Sequence, residues 1–278
     1  MPIAPAFDPT TGASGGAAAG GGAITGEPKL VLDWSPTGAD VDFDGSWGGT
    51  SRTIDGQSVK IFNRTDSGGA TPTTSMIRLT AAGLRIQQTG GEGESTALEF
   101  DFSSLDGMTG ARVPRAVTMN FAVTTLTNEY GNVQLNVGQA GIATASDSFV
   151  ADDVQLQAMR WGTGSNWKCR CWLWTAADAK TIYAGTNNAL GTSQPANLRL
   201  CAVGSSYCWW LAADTLTAKP GMHDVVAVRR ILSARNKSAW DESGAAHPFV
   251  RLIMGRGETT AGDVTLTNLR VWTFGITS

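Results

Sequence analysis

The stretch Asp40-Val41-Asp42-Phe43-Asp44-Gly45 has carboxylates on alternate residues and ends in glycine. Such spacing suits a calcium loop, which needs oxygen ligands at positions one, three and five and a sharp turn at six. The twelfth position, a Glu in EF-hands, is Ser51, so Asp33 or Asp55 would have to complete the site. The alternative is a strand or loop with solvated Asp residues and with Val41 and Phe43 pointing inward. The sequence favours the alternative and keeps Asp40, Asp42 and Asp44 as candidate ligands of a structural calcium ion.

A second pair of carboxylates lies in Glu99-Phe100-Asp101-Phe102-Ser103-Ser104. This segment resembles the E-[IL]-D-x-x-E strand of laminarinase-like glycoside hydrolases, in which the last Glu is the acid/base. Retaining hydrolysis needs two carboxylates about 5 Å apart, but the place of the acid/base is occupied by Ser104. The segment therefore predicts an alternating strand with Phe100 and Phe102 buried, and no catalytic residues.

Histidine and cysteine offer little further chemistry. His223 and His247 are the two histidines, and no G-x-S-x-G elbow accompanies them, so a Ser-His-Asp triad is disfavoured. Four cysteines could form a zinc site or a disulfide across strands, namely Cys169, Cys171, Cys201 and Cys208. The C-x-C spacing favours packing as small apolar residues.

Tryptophan is abundant, with 10 residues. In "WKCRCWLW" (167–174), alternation places Trp172 and Trp174 on the face opposite the cysteines, and Tyr207 and Trp209 similarly share a face. One face of these strands would pack inside the fold, and the other would meet a loop, a second subunit or a ligand. The sequence favours a subunit interface over a platform for stacking sugars.

The elements that position these residues are short alternating segments separated by Gly, Asn, Asp and Pro. Examples are "GLRIQQ" (83–88), "TALEFDF" (96–102) and "DVTLTNLRVWTF" (263–274). About a dozen such segments predict an all-β fold, an antiparallel β-sandwich of jelly-roll type. The three segments quoted above resemble strands of the concanavalin A-like (laminin G-like) superfamily. In that superfamily a late strand with the pattern seen at Thr265–Val271 returns beside an early strand.

The composition of residues 1–26 predicts a flexible Gly/Ala-rich arm. The alternating segments of 27–278 predict the jelly-roll domain. Ile3, Pro5 and Phe7 form an apolar tip ahead of the glycine tract, which suggests a docking peg on a tether. The arm and the Thr/Asn/Gly-rich strands resemble capsid decoration and fibre proteins of tailed bacteriophages. This resemblance implies a terminal segment that docks on other virion proteins of the capsid or tail, and a homo-oligomer, with a trimer favoured.

Composition excludes several classes of function. Charged residues make up 16% of the chain and the net charge is -3, with no dense run of Lys and Arg, so nucleic-acid binding is disfavoured. No stretch of roughly 18 apolar residues is present to span a membrane. The sequence thus predicts a non-enzymatic phage virion protein, made in the host cytoplasm and located in the virion. The alternative is a lectin-like module that binds host glycans.

Overall fold

The structure is a computed structural model that describes the backbone of fourteen segments. They are 24–64, 77–88, 95–105, 115–126, 132–138, 141–144, 154–160, 167–175, 178–184, 197–203, 207–212, 227–231, 249–255 and 262–276. Side chains are described at 30–63, 77–88, 96–105, 117–125, 133–138, 141–144, 197–198, 200, 249–254 and 262–271. No helix long and apolar enough to cross a membrane occurs among these residues.

Seventeen β-strands form within the described segments. They are β1 Ile24–Trp34, β2 Val41–Phe43, β3 Thr50–Ile54, β4 Gln57–Arg64, β5 Ile77–Thr80, β6 Gly83–Gln88, β7 Ser95–Asp101, β8 Arg115–Leu126 and β9 Asn132–Gly138. They continue with β10 Val154–Arg160, β11 Trp167–Thr175, β12 Asp178–Ala184, β13 Asn197–Val203, β14 Tyr207–Ala212, β15 Ala227–Ile231, β16 Phe249–Gly255 and β17 Gly262–Ile276.

The strands form two sheets, and every described strand pair is antiparallel. The nine-stranded sheet has the order β15-β14-β13-β8-β17-β6-β5-β2, with β1 also paired to β17. The eight-stranded sheet has the order β12-β11-β10-β9-β16-β7-β4-β3. The predicted antiparallel sandwich is thereby confirmed. The predicted division into an arm and one domain stays a prediction, and the pairing of β1 begins at Ile24.

Alternation along each strand sends one set of side chains into the core between the sheets. On β7, Leu98 and Phe100 are fully buried in this core, and Phe102 follows them with 1% exposed. The Phe100 ring stacks on Phe102 and meets Trp34 edge-on, with centroids 5.8 and 5.5 Å apart. The prediction that Phe100 and Phe102 are buried is confirmed. We call the side of each sheet that faces this core its inner face, and the opposite side its outer face.

The long strand β17 pairs with two early strands in turn. Its first part pairs with β6, from Gly262 to Leu266, and its second part with β1, where Leu269 lies opposite Trp34. An irregularity in its pairing with β8 falls between Leu266 and Asn268, where the partner changes. The side-chain nitrogen of Asn268 lies 2.7 Å from Asp33 Oδ1 and 2.9 Å from Ser35 Oγ. The expectation that a late strand returns beside an early one is confirmed.

The chain passes from the nine-stranded to the eight-stranded sheet just after β2. Ser46 forms an isolated parallel bridge with Phe62. A Cβ on the preceding Gly45 would lie 2.5 Å from Ile61 Cγ2, so only glycine allows this close approach. The next turn joins β3 to β4 through Asp55 and Gly56, which both have positive φ angles, of 46° and 77°. Trp34 Nε1 donates a hydrogen bond to the Asp55 carbonyl and connects this turn to β1.

Candidate functional site

A line of residues in register crosses the outer face of the eight-stranded sheet. It consists of Lys60 on β4, Glu99 on β7, Arg251 on β16, Asn136 on β9, Gln155 on β10 and Trp172 on β11. Directly opposed residues of antiparallel strands occupy the same face of a sheet, so these six positions form one line. We call this line the polar row. A second line beside it consists of Phe62, Ala97, Ile253, Gln134, Gln157 and Arg170.

The polar row contains a buried ion pair. Arg251 Nε lies 2.7 Å from Glu99 Oε2, and the two side chains expose 0% and 6% of their surface. The same Glu99 oxygen accepts a hydrogen bond of 2.9 Å from the backbone N–H of Ile142. Arg251 also lies over the ring of Phe249, at 5.9 Å from the centroid. Removing either charge would take the ion-pair partner away from a buried charge, so the two residues depend on each other.

A short loop, residues 141–144, covers this part of the face. Its Ile142 packs on Phe62, Ala97 and Ile253 of the second line, together with the half-buried Trp47. These contacts make a small apolar cluster outside the main core. The outer face is therefore closed over β4, β7 and β16, where Glu99 and Arg251 lie.

Amide side chains follow along the sheet beyond the ion pair. Gln134 and Asn136 on β9 are buried, with 3% and 0% exposed. The register continues from them to Gln157 and Gln155 on β10. An amide offers two N–H donors and a carbonyl acceptor with fixed geometry, and suits recognition of hydroxyl groups.

The four predicted aromatic interface residues lie in two different sheets. Trp172 and Trp174 are on β11 of the eight-stranded sheet, and Tyr207 and Trp209 are on β14 of the nine-stranded sheet. Trp172 stands in register with Gln155, whereas Trp209 stands in register with Cys201 and Arg230. The structure thus brings these residues together as two separate pairs. Their role in an interface stays a prediction.

The predicted calcium ligands lie at the edge of the nine-stranded sheet. Asp42 is on β2 and forms a bidentate ion pair with Arg78 of β5. Arg78 Nε donates to Asp42 Oδ1 at 2.7 Å, and Arg78 Nη2 donates to Oδ2 at 3.2 Å. This hydrogen bond from Arg78 holds the pKa of the Asp42 carboxyl below its ordinary value. Asp40 and Asp44 are exposed beside it. Among the described residues no three His, Cys, Asp or Glu side chains are grouped to hold a metal, and the calcium site stays a prediction.

Val41 lies on the expected face of its strand but is not buried. Val41 lies opposite the buried Leu79 and therefore occupies the inner face, but 45% of its surface is exposed. The reason is its position on a three-residue edge strand, beyond which no described strand continues the sheet. Phe43, two residues later, is half-buried and packs against the core as expected.

A charged network lies on the nine-stranded sheet, where β17 changes partner. Arg270 Nε donates to Asp33 Oδ1 at 2.9 Å, and Asn268 donates to the same oxygen. Burial raises the pKa of Asp33, but the hydrogen bonds from Arg270 and Asn268 together outweigh it, so the pKa is lowered. Asp33 was one of the two residues, with Asp55, predicted to complete a calcium site, and here it accepts a hydrogen bond from Arg270.

The arm residues Ile3, Pro5 and Phe7 lie outside the described residues. Sequence reasoning missed the role of Arg251. A single charged residue in the apolar strand "FVRLIM" (249–254) is a signal that could have predicted a buried partner.

No protein-family model and no curated protein matches this sequence. Solved structures do match it. The exoplasmic/lumenal domain of VIP36, in a form bound to Ca²⁺ and Man2, is similar with a TM-score of 0.50 and 5% identity, over 85% of this chain and 89% of that one. The CBM2 module of the evolved Dit of Lactobacillus casei BL23 phage J-1 has a TM-score of 0.47 and 9% identity, over 90% and 98%. The carbohydrate esterase vb_24B_21 from the Shiga toxin-encoding bacteriophage phi24B has a TM-score of 0.42 and 11% identity, over 90% and 100%.

The VIP36 similarity, together with the two antiparallel sheets, defines the architecture. The chain has a lectin-like jelly-roll fold. At 5% identity this similarity concerns the fold and not the activity.

Proposed function

We propose that this protein is a non-enzymatic component of a phage virion that binds carbohydrate on the outer face of its eight-stranded sheet. The observation that supports this best is the polar row, which leads from the Glu99–Arg251 pair through Asn136 and Gln155 to Trp172. Beyond the buried Asn136, the line continues at the positions of Gln155 and Trp172, and these two residue types match the two needs of sugar recognition. These needs are directional hydrogen bonds to hydroxyl groups and a flat apolar surface for the ring.

Burial limits where on this face a sugar can bind. Three residues of the polar row, namely Glu99, Arg251 and Asn136, are at most 5% exposed. A ligand would therefore approach the row from the other side, over β10 and β11, where Gln155 and Trp172 stand. The buried residues Glu99, Arg251 and Asn136 would not contact the sugar, and would stabilise the neighbouring part of the sheet.

The fold favours the same function. In VIP36 the same architecture is seen with Ca²⁺ and Man2 bound. For the present chain we expect carbohydrate binding without calcium at Asp40, Asp42 and Asp44, because Asp42 is engaged by Arg78. Melting temperatures measured with calcium and with a chelator test this expectation. A melting temperature lowered by the chelator in the native chain, but not in Asp42→Asn, would contradict it.

The geometry of Glu99 supports a role in binding rather than in hydrolysis. Its carboxylate is buried and bonded to Arg251 and to the Ile142 N–H, and is not available to attack a sugar. The position at which laminarinase-like enzymes have their acid/base is Ser104, which has no proton-transfer role at neutral pH.

The virion part of the proposal depends on the sequence. An apolar tip at Ile3, Pro5 and Phe7 ahead of a glycine tract is suited to docking on other virion proteins. Docking would order the tract and so couple binding to assembly. We also propose self-association, with a trimer favoured. Size-exclusion chromatography with light scattering tests this, and a strict monomer would contradict it.

The experiment for the main proposal is a glycan array probed with the full chain, with and without chelator. Binding to a defined set of glycans is expected. If no glycan binds, yet particles that lack this protein become sensitive to heat or osmotic shock, the purely structural function replaces the proposed one.

A further inference from the structure

We propose that Glu99 is a positioning residue of the carbohydrate site: together with Arg251, it holds the 141–144 loop against the sheet as one side of that site. This inference rests on the proposed function for the identity of the ligand. The attachment of the loop to the sheet does not depend on that identity and can be measured alone.

One carboxylate oxygen of Glu99 accepts a hydrogen bond from the sheet and another from the loop. Glu99 Oε2 accepts from Arg251 Nε at 2.7 Å and from the Ile142 backbone N–H at 2.9 Å. Hydrogen bonds to an ionised acceptor are about twice as strong as neutral ones. Arg251 orients the carboxylate of Glu99, and the oriented oxygen holds the loop.

The loop fits closely at this contact. A Cβ on Gly141 would lie 3.2 Å from Glu99 Oε1 and 3.2 Å from the Phe249 ring. Ile142, the next residue, is 3% exposed in the apolar cluster, while Gly141 and Ala143 on either side of it are exposed. The contact thus fixes the one buried residue of the loop and leaves its neighbours at the surface.

The position of Glu99 along the polar row places the loop on the same outer face as the proposed ligand, with β9 between them. Strands are spaced about 4.8 Å apart, so β7 lies roughly 14 Å from β10 and roughly 19 Å from β11. A sugar over Gln155 and Trp172 would therefore have the loop on its β16 side. A loop that moved away would open this side of the site without changing Trp172.

A structural role alone would not require a charge. Replacing a buried ion pair by apolar side chains of similar volume is often neutral or stabilising. An apolar pair would fill the same space beneath Ile142, but it would not accept the Ile142 N–H. Loop position and global stability can therefore be separated by substitution.

The test uses three variants of the full chain, with hydrogen exchange of peptides covering 141–144, chemical denaturation and glycan affinity as measurements. The double variant Glu99→Leu/Arg251→Met should keep its unfolding midpoint, exchange at Ile142 about 10- to 100-fold faster, and bind its glycan more weakly. Glu99→Gln retains a side-chain oxygen for the Ile142 N–H but removes the carboxylate charge beside the buried Arg251. It should lower the unfolding midpoint while keeping the loop better protected than the double variant does.

Asp101→Asn is the matched control. Asp101 lies two residues along the same strand, and its carboxylate accepts from the Ser103 N–H at 2.9 Å. This variant should leave both loop exchange and affinity unchanged. Unchanged exchange at 141–144 in the double variant would overturn the attachment by Glu99. Faster exchange with unchanged affinity would overturn the placement of the loop at the site. Absence of glycan binding by the native chain would instead overturn the proposed function, and the loop exchange would still report on the attachment.

Discussion

The ion pairs on the outer faces of the two sheets differ in how far they are buried. On the nine-stranded sheet, each described ion pair has at least one exposed partner: Asp42 and Arg78 expose 49% and 44% of their side chains, Asp33 beside Arg270 exposes 41%, and Arg85 beside the nearly buried Asp263 exposes 37%. On the eight-stranded sheet, the Glu99–Arg251 pair is almost completely buried and also binds a loop.

The exposed pairs keep a surface hydrated, whereas the buried Glu99–Arg251 pair holds nearby backbone in a fixed position. Water screens an exposed pair, which therefore adds little stability, and charged edge residues such as Asp42 discourage pairing with strands of other molecules. A buried pair must offset the loss of hydration of both ions, and persists only when its hydrogen bonds are well made. The buried pair therefore fixes the geometry of the outer face of the eight-stranded sheet, which we propose as the binding face.

The largest expected effect is on the free energy of unfolding, and it is found by comparing substitutions of one arginine from each outer face. Arg251→Met leaves the Glu99 carboxylate buried without its partner and should lower the free energy of unfolding by about 3–5 kcal/mol. Arg78→Met should change it little, since both partners of its pair are exposed. Urea denaturation at neutral pH measures both variants. Equal losses would mean that the two faces do not differ as described.

A second comparison concerns the crossing between the sheets. In Gly45→Ala the new Cβ would approach Ile61 Cγ2 to 2.5 Å, and the resulting overpacking should cost about 1–3 kcal/mol. Gly48 lies in the same segment, and a Cβ there would meet no atom within 4 Å, which makes Gly48→Ala the matched control. Thermal denaturation should lower the midpoint of the first variant only. A stable Gly45→Ala protein would show that the sheets can separate here at no cost.

A smaller effect is expected from pH on the nine-stranded sheet. The pKa of Asp33 is lowered in the folded state, so its contribution to stability is complete above the ordinary carboxyl pKa of about 4 and is lost as pH falls through the folded pKa. Native protein should therefore lose stability more steeply below about pH 4 than Asp33→Asn does. Denaturation midpoints over this range measure the difference. Parallel curves would show that the bonds from Arg270 and Asn268 do not favour the ionised form.

The sequence predicted those features that depend on local alternation. Phe100 and Phe102 are buried because they alternate with outer-face residues, and a late strand returns beside early strands, as the resemblance implied. Alternation also gave the correct face for Val41. Alternation could not predict that Val41 is exposed, because its exposure comes from the position of β2 at the edge of the sheet, which depends on strand order.

Features that depend on long-range pairing could not be predicted. Alternation assigns a face to Trp172 and Trp209 within their strands, but not the sheet to which each strand belongs. The contact of Glu99 with Arg251 joins residues 152 positions apart, and Ile142 completes it from a third segment. Only the arrangement of strands brings these three together.

The most direct measurement compares Trp172→Ala with Trp209→Ala in their affinity for a glycan bound by the native chain. The two residues occupy corresponding positions, each in register with the neighbouring strands of its own sheet. If carbohydrate binds on the eight-stranded sheet, Trp172→Ala should weaken binding about 30-fold or more, as expected for truncation of a central aromatic contact. Trp209→Ala should bind like the native protein. Loss of affinity in Trp209→Ala, with Trp172→Ala unaffected, would contradict the account and place the site on the other sheet.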